Sequence, residues 1–195
     1  MIIVELRHHR RESLRVRHFS SAEILGQFDI GAAVCYKGAV TQPFTEEGRM
    51  FKHILIPTDG SELSQKAIRI GVELAKFHSA RVTGVHAIPD YHLMIAYEGA
   101  FDPVTEDRIE KEARGRAESY LEFIRTTCAA AGVPYESVCE TSDHPYDAIV
   151  KTAEAKHCDL ILLHSHGRKG LAAVLLGSET RKVLTYAKIP VMVVR

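Results

Sequence analysis

The chain has 195 residues, enough for one domain with an appendage, and its 46% apolar and 26% charged content suits an ordinary globular protein. Twenty-five basic residues balance 25 acidic ones, so no overall field draws in nucleic acid or an anionic membrane. No stretch approaches the ~18 consecutive apolar residues of a membrane-spanning helix, and the chain reads as cytoplasmic.

Residues 1–49 differ from the rest. Residues 1–20 hold five arginines against two glutamates, in Arg7-His-His-Arg-Arg11 and around Arg15-Val-Arg-His18. From Phe19 to Arg49, short apolar pieces and glycines follow one another with no sustained period of 2 or 3.6. Glu5 and Glu12 interrupt the acid-poor pattern of a mitochondrial transit peptide, and no apolar core of a signal peptide is present. The expectation is a poorly ordered N-terminal extension, read through from upstream of a natural start at Met50.

From Lys52 the pattern is regular. Ile54-Leu-Ile56 is a short apolar run ended by Pro57, as in a buried parallel strand. Asp59-Gly-Ser-Glu62 fits an N-cap followed three residues later by Glu. Leu63, Ala67, Ile70 and Leu74 then recur at helical spacing, to about His78. Arg81–Ala87 is the second strand. A connection from Ile88 to Pro103 carries Tyr91, Tyr97 and Phe101. A long helix follows from about Thr105 to Ala131, with Ile109, Ala113, Ala117, Leu121, Ile124 and Cys128 on one face. Gly132-Val-Pro134 ends it.

Tyr135–Thr141 is the third strand. The next helix takes Asp143 as its cap and Pro145 in its first turn, and carries Ile149, Val150 and Ala153 inward. Leu160–Leu163 is the fourth strand, Ser178–Ala187 the last helix and Val191–Val194 the fifth strand. This alternation predicts an α/β fold: a five-stranded parallel sheet with helices on both faces, forming a single domain over about residues 51–195.

Several chemistries find little support. Cys35, Cys128, Cys139 and Cys158 form no C-x-x-C pair and read as reduced, small hydrophobes. His164 and His166 stand two apart near His157 and Cys158, but no third or fourth ligand follows at metal spacing. The chain lacks both the Gly-x-x-x-x-Gly-Lys-Ser/Thr loop and the Gly-x-Ser-x-Gly elbow. No catalytic residues are expected.

A binding site is better supported. Open parallel sheets bind ligands beyond the carboxyl ends of their strands, where the winding direction switches. Three pieces fall at such ends: Pro57, Thr58 and Asp59; Ala87; and the loop from His164 through Gly167, Arg168 and Lys169 to Gly177, Ser178 and Glu179. A strand that opens through a glycine-bearing loop into a helix start presents free amides to a phosphate. Ser178 stands where it would cap that helix, and Asp59 reads equally as a cap or a ligand contact.

Gly167, nine residues, then Gly177-Ser178 resembles the nucleotide loop of the universal stress protein family, Gly-x-x-Gly, nine residues, Gly-Ser/Thr. Ile54–Ser61 is similar to that family's first strand and turn, Val85-His86-Ala87 to its second strand end, and Ile189–Val194 to its last strand. The resemblance covers about residues 51–195. It implies a Rossmann-like fold of the adenine nucleotide alpha hydrolase-like type, and ATP as ligand with Mg2+ accompanying the phosphates. Asp59 and Ala87 would then lie at the adenine and ribose end, with Gly167, Gly177 and Ser178 cradling the phosphates and Arg168 adding charge.

Related ATP-pyrophosphatases carry a Ser-Gly-Gly-x-Asp-Ser turn after the first strand. Pro57-Thr-Asp-Gly-Ser61 lacks the double glycine, which weighs against adenylating chemistry. The implied role is a regulatory module in the stress response, with slow ATP hydrolysis as the enzyme alternative.

One departure matters. His164 stands where the family has its first loop glycine. If that backbone needs positive φ, a histidine there costs on the order of 1 kcal/mol. Its ring would either crowd the ribose and phosphates or donate to a phosphate oxygen. A family member that binds no nucleotide and serves only as a dimeric interaction protein is therefore the other reading. Ile189–Val194 is apolar on both faces, and at a sheet edge it would pair with another copy. The resemblance likewise implies a homodimer through Val191–Val194, whereas a covered edge leaves no such pairing.

Overall fold

The computed structural model describes residues 3–6, 32–36, 50–90, 103–165 and 176–194, with backbone alone for 3–6, 32–36 and 103–106. Two short strands come first, β1 (Ile3–Leu6) and β2 (Ala32–Tyr36). Then follow β3 (His53–Pro57), α1 (Glu62–His78), β4 (Arg81–Ile88), α2 (Pro103–Ala131), β5 (Tyr135–Thr141), α3 (Pro145–Ala155), β6 (Leu160–His164), α4 (Ser178–Tyr186) and β7 (Val191–Val194). The sheet order is β1-β2-β7-β6-β3-β4-β5. The block β7-β6-β3-β4-β5 is parallel throughout, as the βα alternation requires.

Every crossover helix packs on one face or the other, so alternate residues of each strand are divided between two cores. Ile54, Ile56, Val82, Leu160, Leu162 and Met192 join Ile68 and Val72 of α1 and Leu121 and Ile124 of α2. Leu55, Val85, Ile161, Leu163 and Val193 join Ile149 and Ala153 of α3 and Val183 of α4. Strands buried on both faces read as unbroken apolar runs, which explains why they were legible. In α2, Ala113, Ala117, Leu121, Ile124 and Cys128 are buried as expected. In α1, Ala67 and Leu74 are buried and Ile70 packs partly buried against the core as expected, while Leu63 is exposed and Ser64, Ile68, Gly71, Val72, Ala75 and His78 complete the buried face.

The helix starts differ from expectation in three places. Ser61, not Asp59, is the N-cap of α1, accepting from the Ser64 amide at 3.2 Å. Asp59 lies two residues earlier, and its Oδ1 accepts from the Ser61 amide at 3.0 Å, which braces the turn instead. Asp143 does not cap α3; its Oδ1 accepts from the Asp90 amide at 2.9 Å. His144 holds the N-cap position with no side-chain bond of its own, and Pro145 is in the first turn as expected. Ser178 is the first residue of α4 rather than its cap, because Gly177 takes the N-cap position.

Two additions lie in the first 49 residues, where no element was expected. β2 runs antiparallel along β7, from Ala32 opposite Val194 to Cys35 opposite Val191. β1 pairs parallel to β2. Segments of four and five residues are too short to show a period, so the sequence carried no signal for them. Of the two readings the sequence left open for β7, a free edge or a covered one, the structure shows it covered by β2.

At the opposite end of the sheet from the candidate site, His53 begins a polar relay. Thr83 Oγ1 donates to Glu136 Oε1 at 2.9 Å, and Lys156 Nζ donates to Glu136 Oε2 at 2.8 Å. With its own proton committed, Thr83 accepts from His53 Nε2 at 2.6 Å, which leaves Nδ1 as the bare nitrogen of a neutral ring. Burial, assisted by Arg81, holds the His53 pKa below its usual value despite Glu136 and Asp159. Burial does the same for His78. In both cases the unfolded chain binds protons that the folded chain resists. This stability is present above about pH 6.5 and is lost as pH falls toward the folded values. Urea unfolding at pH 7.5 and at pH 5 should show the decline, at most about 1.4 kcal/mol per pH unit for each histidine. A stability flat across this interval would contradict it.

Burial also pushes the Cys128 thiol up to about 11 and the Cys158 thiol to about 12. Both thiols stay protonated at neutral pH and behave as small hydrophobes. Among the described residues, no helix is long and apolar enough to cross a membrane.

Candidate functional site

β3, α1, β4 and β5 wind in one direction across the sheet, and β6 and β7 lie on the other side of β3. The switch point therefore falls between the carboxyl ends of β3 and β6, the place where such sheets bind ligands. Pro57 ends β3, Thr58 follows it, and both are buried. The Thr58 amide donates to the Val85 carbonyl at 2.9 Å, and the Thr58 carbonyl accepts from His86 Nδ1 at 2.7 Å, so the β3 and β4 ends are locked together. Thr58 Oγ1 accepts from the Gly60 amide at 3.2 Å and meets Ser64 Oγ at 3.1 Å. Its hydroxyl thus supports the turn from below. Ala87 stands half-buried beside this turn on β4.

Gly60 sits at φ +78°, a conformation that side chains resist. The Tyr120 ring of α2 covers it closely enough that an added Cβ would lie 2.3 Å from the ring. Tyr120 also meets the His86 ring edge-on at 5.2 Å. The turn is consequently clamped from α2, and Asp59 projects from it.

Across the switch point, the end of β6 meets the start of α4. The Gly177 amide donates to the Ser165 carbonyl at 2.8 Å, and Thr180 Oγ1 donates to the His164 carbonyl at 3.2 Å. Ser178 is exposed, and the first turn of α4 has no side-chain cap. Its leading amides remain donors at the positive end of the helix dipole.

The two sides touch. His164 Nε2 lies 3.6 Å from Asp59 Oδ1, with the imidazole only 12% exposed and its Nδ1 without a partner among the described residues. The ring is held without backbone strain, because the non-glycine residues at positive φ are Ser79 and His157. The condition for strain at His164, a positive φ, is therefore not met. Burial alone would raise the Asp59 pKa, but contact with His164 and the bonds from Ser61 outweigh it, holding the carboxyl well below its usual range. It is an anion throughout the neutral range.

Glu179 does not face this hollow. Its Oε2 accepts from the Tyr146 amide at 3.0 Å, and Lys182 Nζ donates to its Oε1 at 2.8 Å. It supplies from α4 the cap that α3 lacks. Glu179→Ala should cost about 1 kcal/mol in urea unfolding, and an unchanged midpoint would contradict the capping role. Gly167, Arg168, Lys169 and His166 lie outside the described residues, as do Tyr91, Tyr97 and Phe101. His86, Tyr120 and Thr180 were not singled out in the sequence as site residues. His86 lay within the quoted strand end, whereas Tyr120 and Thr180 carried no local signal.

With this geometry in place, comparison with known proteins decides the family. The universal stress protein family model matches residues 50–195. The chain belongs to that family. A universal stress protein of Thermus aquaticus, encoded in the 3′ region of the QAH/OAS sulfhydrylase gene, is 33% identical over 149 residues, covering 75% of this chain and 100% of the relative. The solved structure of protein MJ0577 of Methanocaldococcus jannaschii superposes with a TM-score of 0.60 at 29% identity, covering 74% of this chain and 96% of that one. A universal stress protein of Archaeoglobus fulgidus, solved in complex with dAMP, shares the fold at 21% identity and a TM-score of 0.51, covering 75% of this chain and 99% of that one. These likenesses account for the five parallel strands and the helices on both faces of this universal stress protein.

Proposed function

We propose that this universal stress protein is a cytoplasmic regulatory module of the stress response that binds an adenine nucleotide, ATP in particular, at the switch point between β3 and β6. The observation that carries the reading is convergence. The turn holding Asp59 is bonded to the end of β4 beside Ala87, the end of β6 is bonded to the uncapped start of α4 at Gly177 and Ser178, and β3–β6 pairing with the 3.6 Å contact of His164 and Asp59 sets the two halves against each other. Asp59 and Ala87 serve the adenosine end, while Gly177, Ser178 and the loop bearing Gly167 and Arg168 serve the phosphates. An uncapped helix start suits a polyphosphate because its amides and dipole favour negative charge. Mg2+ would enter with the phosphates, which supply hard oxygen ligands. The dAMP complex of the Archaeoglobus fulgidus relative supports the ligand class.

The role is regulatory rather than catalytic, with nucleotide occupancy shifting the population between conformations. A thermal shift with MgATP, together with analysis of nucleotide released from the denatured protein, tests the reading. Absence of both would favour the interaction-protein alternative, which His164 motivates. Single-turnover assays with labelled ATP test for slow hydrolysis.

The module would act as a homodimer through β7. Because β2 lies along that edge, such pairing exchanges the β2 ladder for a second copy's β7. A monomeric mass by light scattering at all concentrations would exclude the dimer.

A further inference from the structure

We propose that Tyr120 is a positioning residue of this site: its ring, seated on Gly60, holds the turn that presents Asp59 to the ligand. This rests on the nucleotide reading above and adds to it the residue that fixes the adenosine end. Gly60 lies at φ +78°, with its own amide donating to Thr58 Oγ1 and the next amide, of Ser61, donating to Asp59 Oδ1. Glycine reaches other conformations about as readily, so this one is not kept by the residue itself. Rotation about Gly60 would turn the Ser61 amide away and break its bond to the Asp59 carboxylate. The Tyr120 ring blocks that rotation. It occupies the place that a side chain would take, with Cδ1 and Cε1 both 2.3 Å from an ideal Cβ at position 60.

The ring is itself fixed by the way α2 docks. Ile124, one helical turn further along, rests in the same manner on Gly84 of β4, where an ideal Cβ would lie 2.8 Å from its Cδ1. Two consecutive turns of α2 are thus seated on glycines, one in the sheet and one in the turn after β3, because such close approach requires a missing side chain. Ile124 is fully buried, so its packing sets the height of Tyr120 over the turn. Against the Tyr120 ring stands His86, whose Nδ1 donates to the Thr58 carbonyl. The turn is gripped between α2 and β4, and Asp59 takes its direction from both.

Two measurements test this. The first needs no nucleotide: backbone 15N relaxation reads the native turn whatever the overall stability of a variant. Order parameters at Gly60 and Ser61 should be about 0.85 in the wild type and in Tyr120→Phe, which keeps the ring. They should fall below about 0.6 in Tyr120→Ala, or in Tyr120→Leu should the alanine variant not fold. A turn that stays rigid without the ring overturns the proposal. The second is calorimetric titration with MgATP. Tyr120→Phe should bind as the wild type does, and Tyr120→Ala about tenfold more weakly, because the productive turn is then populated about a tenth of the time. In an Asp59→Ala background, removing the ring should cost nothing further, since the ring acts through Asp59. A loss of about tenfold that persists in that background, or equal affinities of Tyr120→Ala and wild type, would overturn the inference and leave the nucleotide reading standing. No binding by the wild type would overturn the nucleotide reading and with it any role of Tyr120 toward a ligand, while the order parameters still decide whether the ring holds the turn.

Discussion

Gly60→Val should lower stability by about 3 kcal/mol, the largest single-residue loss expected at this site. Two costs combine. A β-branched residue is forced to φ +78°, where its Cβ crowds the backbone. The new side chain also enters the Tyr120 ring, which already lies 2.3 Å from an ideal Cβ. Tyr120 is held on its other side by the His86 ring, which limits how far it can move. Thermal unfolding followed by circular dichroism should show a fall of roughly 10 °C for a domain of this size. Tyr120→Ala in the same background should recover the steric part and leave the backbone part. A loss below about 0.5 kcal/mol would show that the turn is not clamped in this way.

Gly177→Val tests the other side of the site and should separate binding from folding. Gly177 has φ −55° and ψ 152°, a conformation open to any residue, and its amide bond to Ser165 needs no glycine. The fold should therefore lose only about 1 kcal/mol, the difference between a favourable and an unfavourable N-cap residue. At the N-cap of α4, however, a valine side chain projects among the amides proposed to hold phosphate. MgATP affinity measured by calorimetry, in the wild-type and His164→Gly backgrounds, should fall about a hundredfold or more, close to 3 kcal/mol. Retained affinity would place the phosphates elsewhere.

The parts of this molecule that local pattern determines were legible in its sequence. Ile54-Leu-Ile56 and Leu160–Leu163 are apolar throughout because helices cover both of their faces. The Ala113 to Cys128 stripe follows the helical period, and Gly132 at φ +71° ends α2 as its position suggested. Caps were less legible, because Asp59-Gly-Ser61 offers two capping side chains two residues apart and local sequence does not rank them. Asp143 failed for a different reason: its carboxylate is used by Asp90, from a distant part of the chain.

Within the site, sequence reading brought Asp59, His164 and Gly177 to one rim but could not foresee how they interact. The contact between His164 and Asp59 depends on the pairing of β3 with β6, which sets Leu55 beside Ile161. Tyr120 reaches Gly60 only because α2 lies over α1 and β4, and Glu179 turns away because α3 needs a cap. β1 and β2 were too short to announce themselves. The placement of β2 on β7 alters the dimer proposal more than any residue of the binding loop does, since it gives that edge an intramolecular partner.

The account turns on whether nucleotide enters at the junction of β3 and β6. Amide NMR during titration with MgATP reads this residue by residue. Saturable shifts are expected together at Thr58 to Ser61, at Ala87 and at Gly177 and Ser178, with the β5 strand undisturbed. Shifts confined to other surfaces, or none at millimolar MgATP even in His164→Gly, would contradict a nucleotide site at this junction.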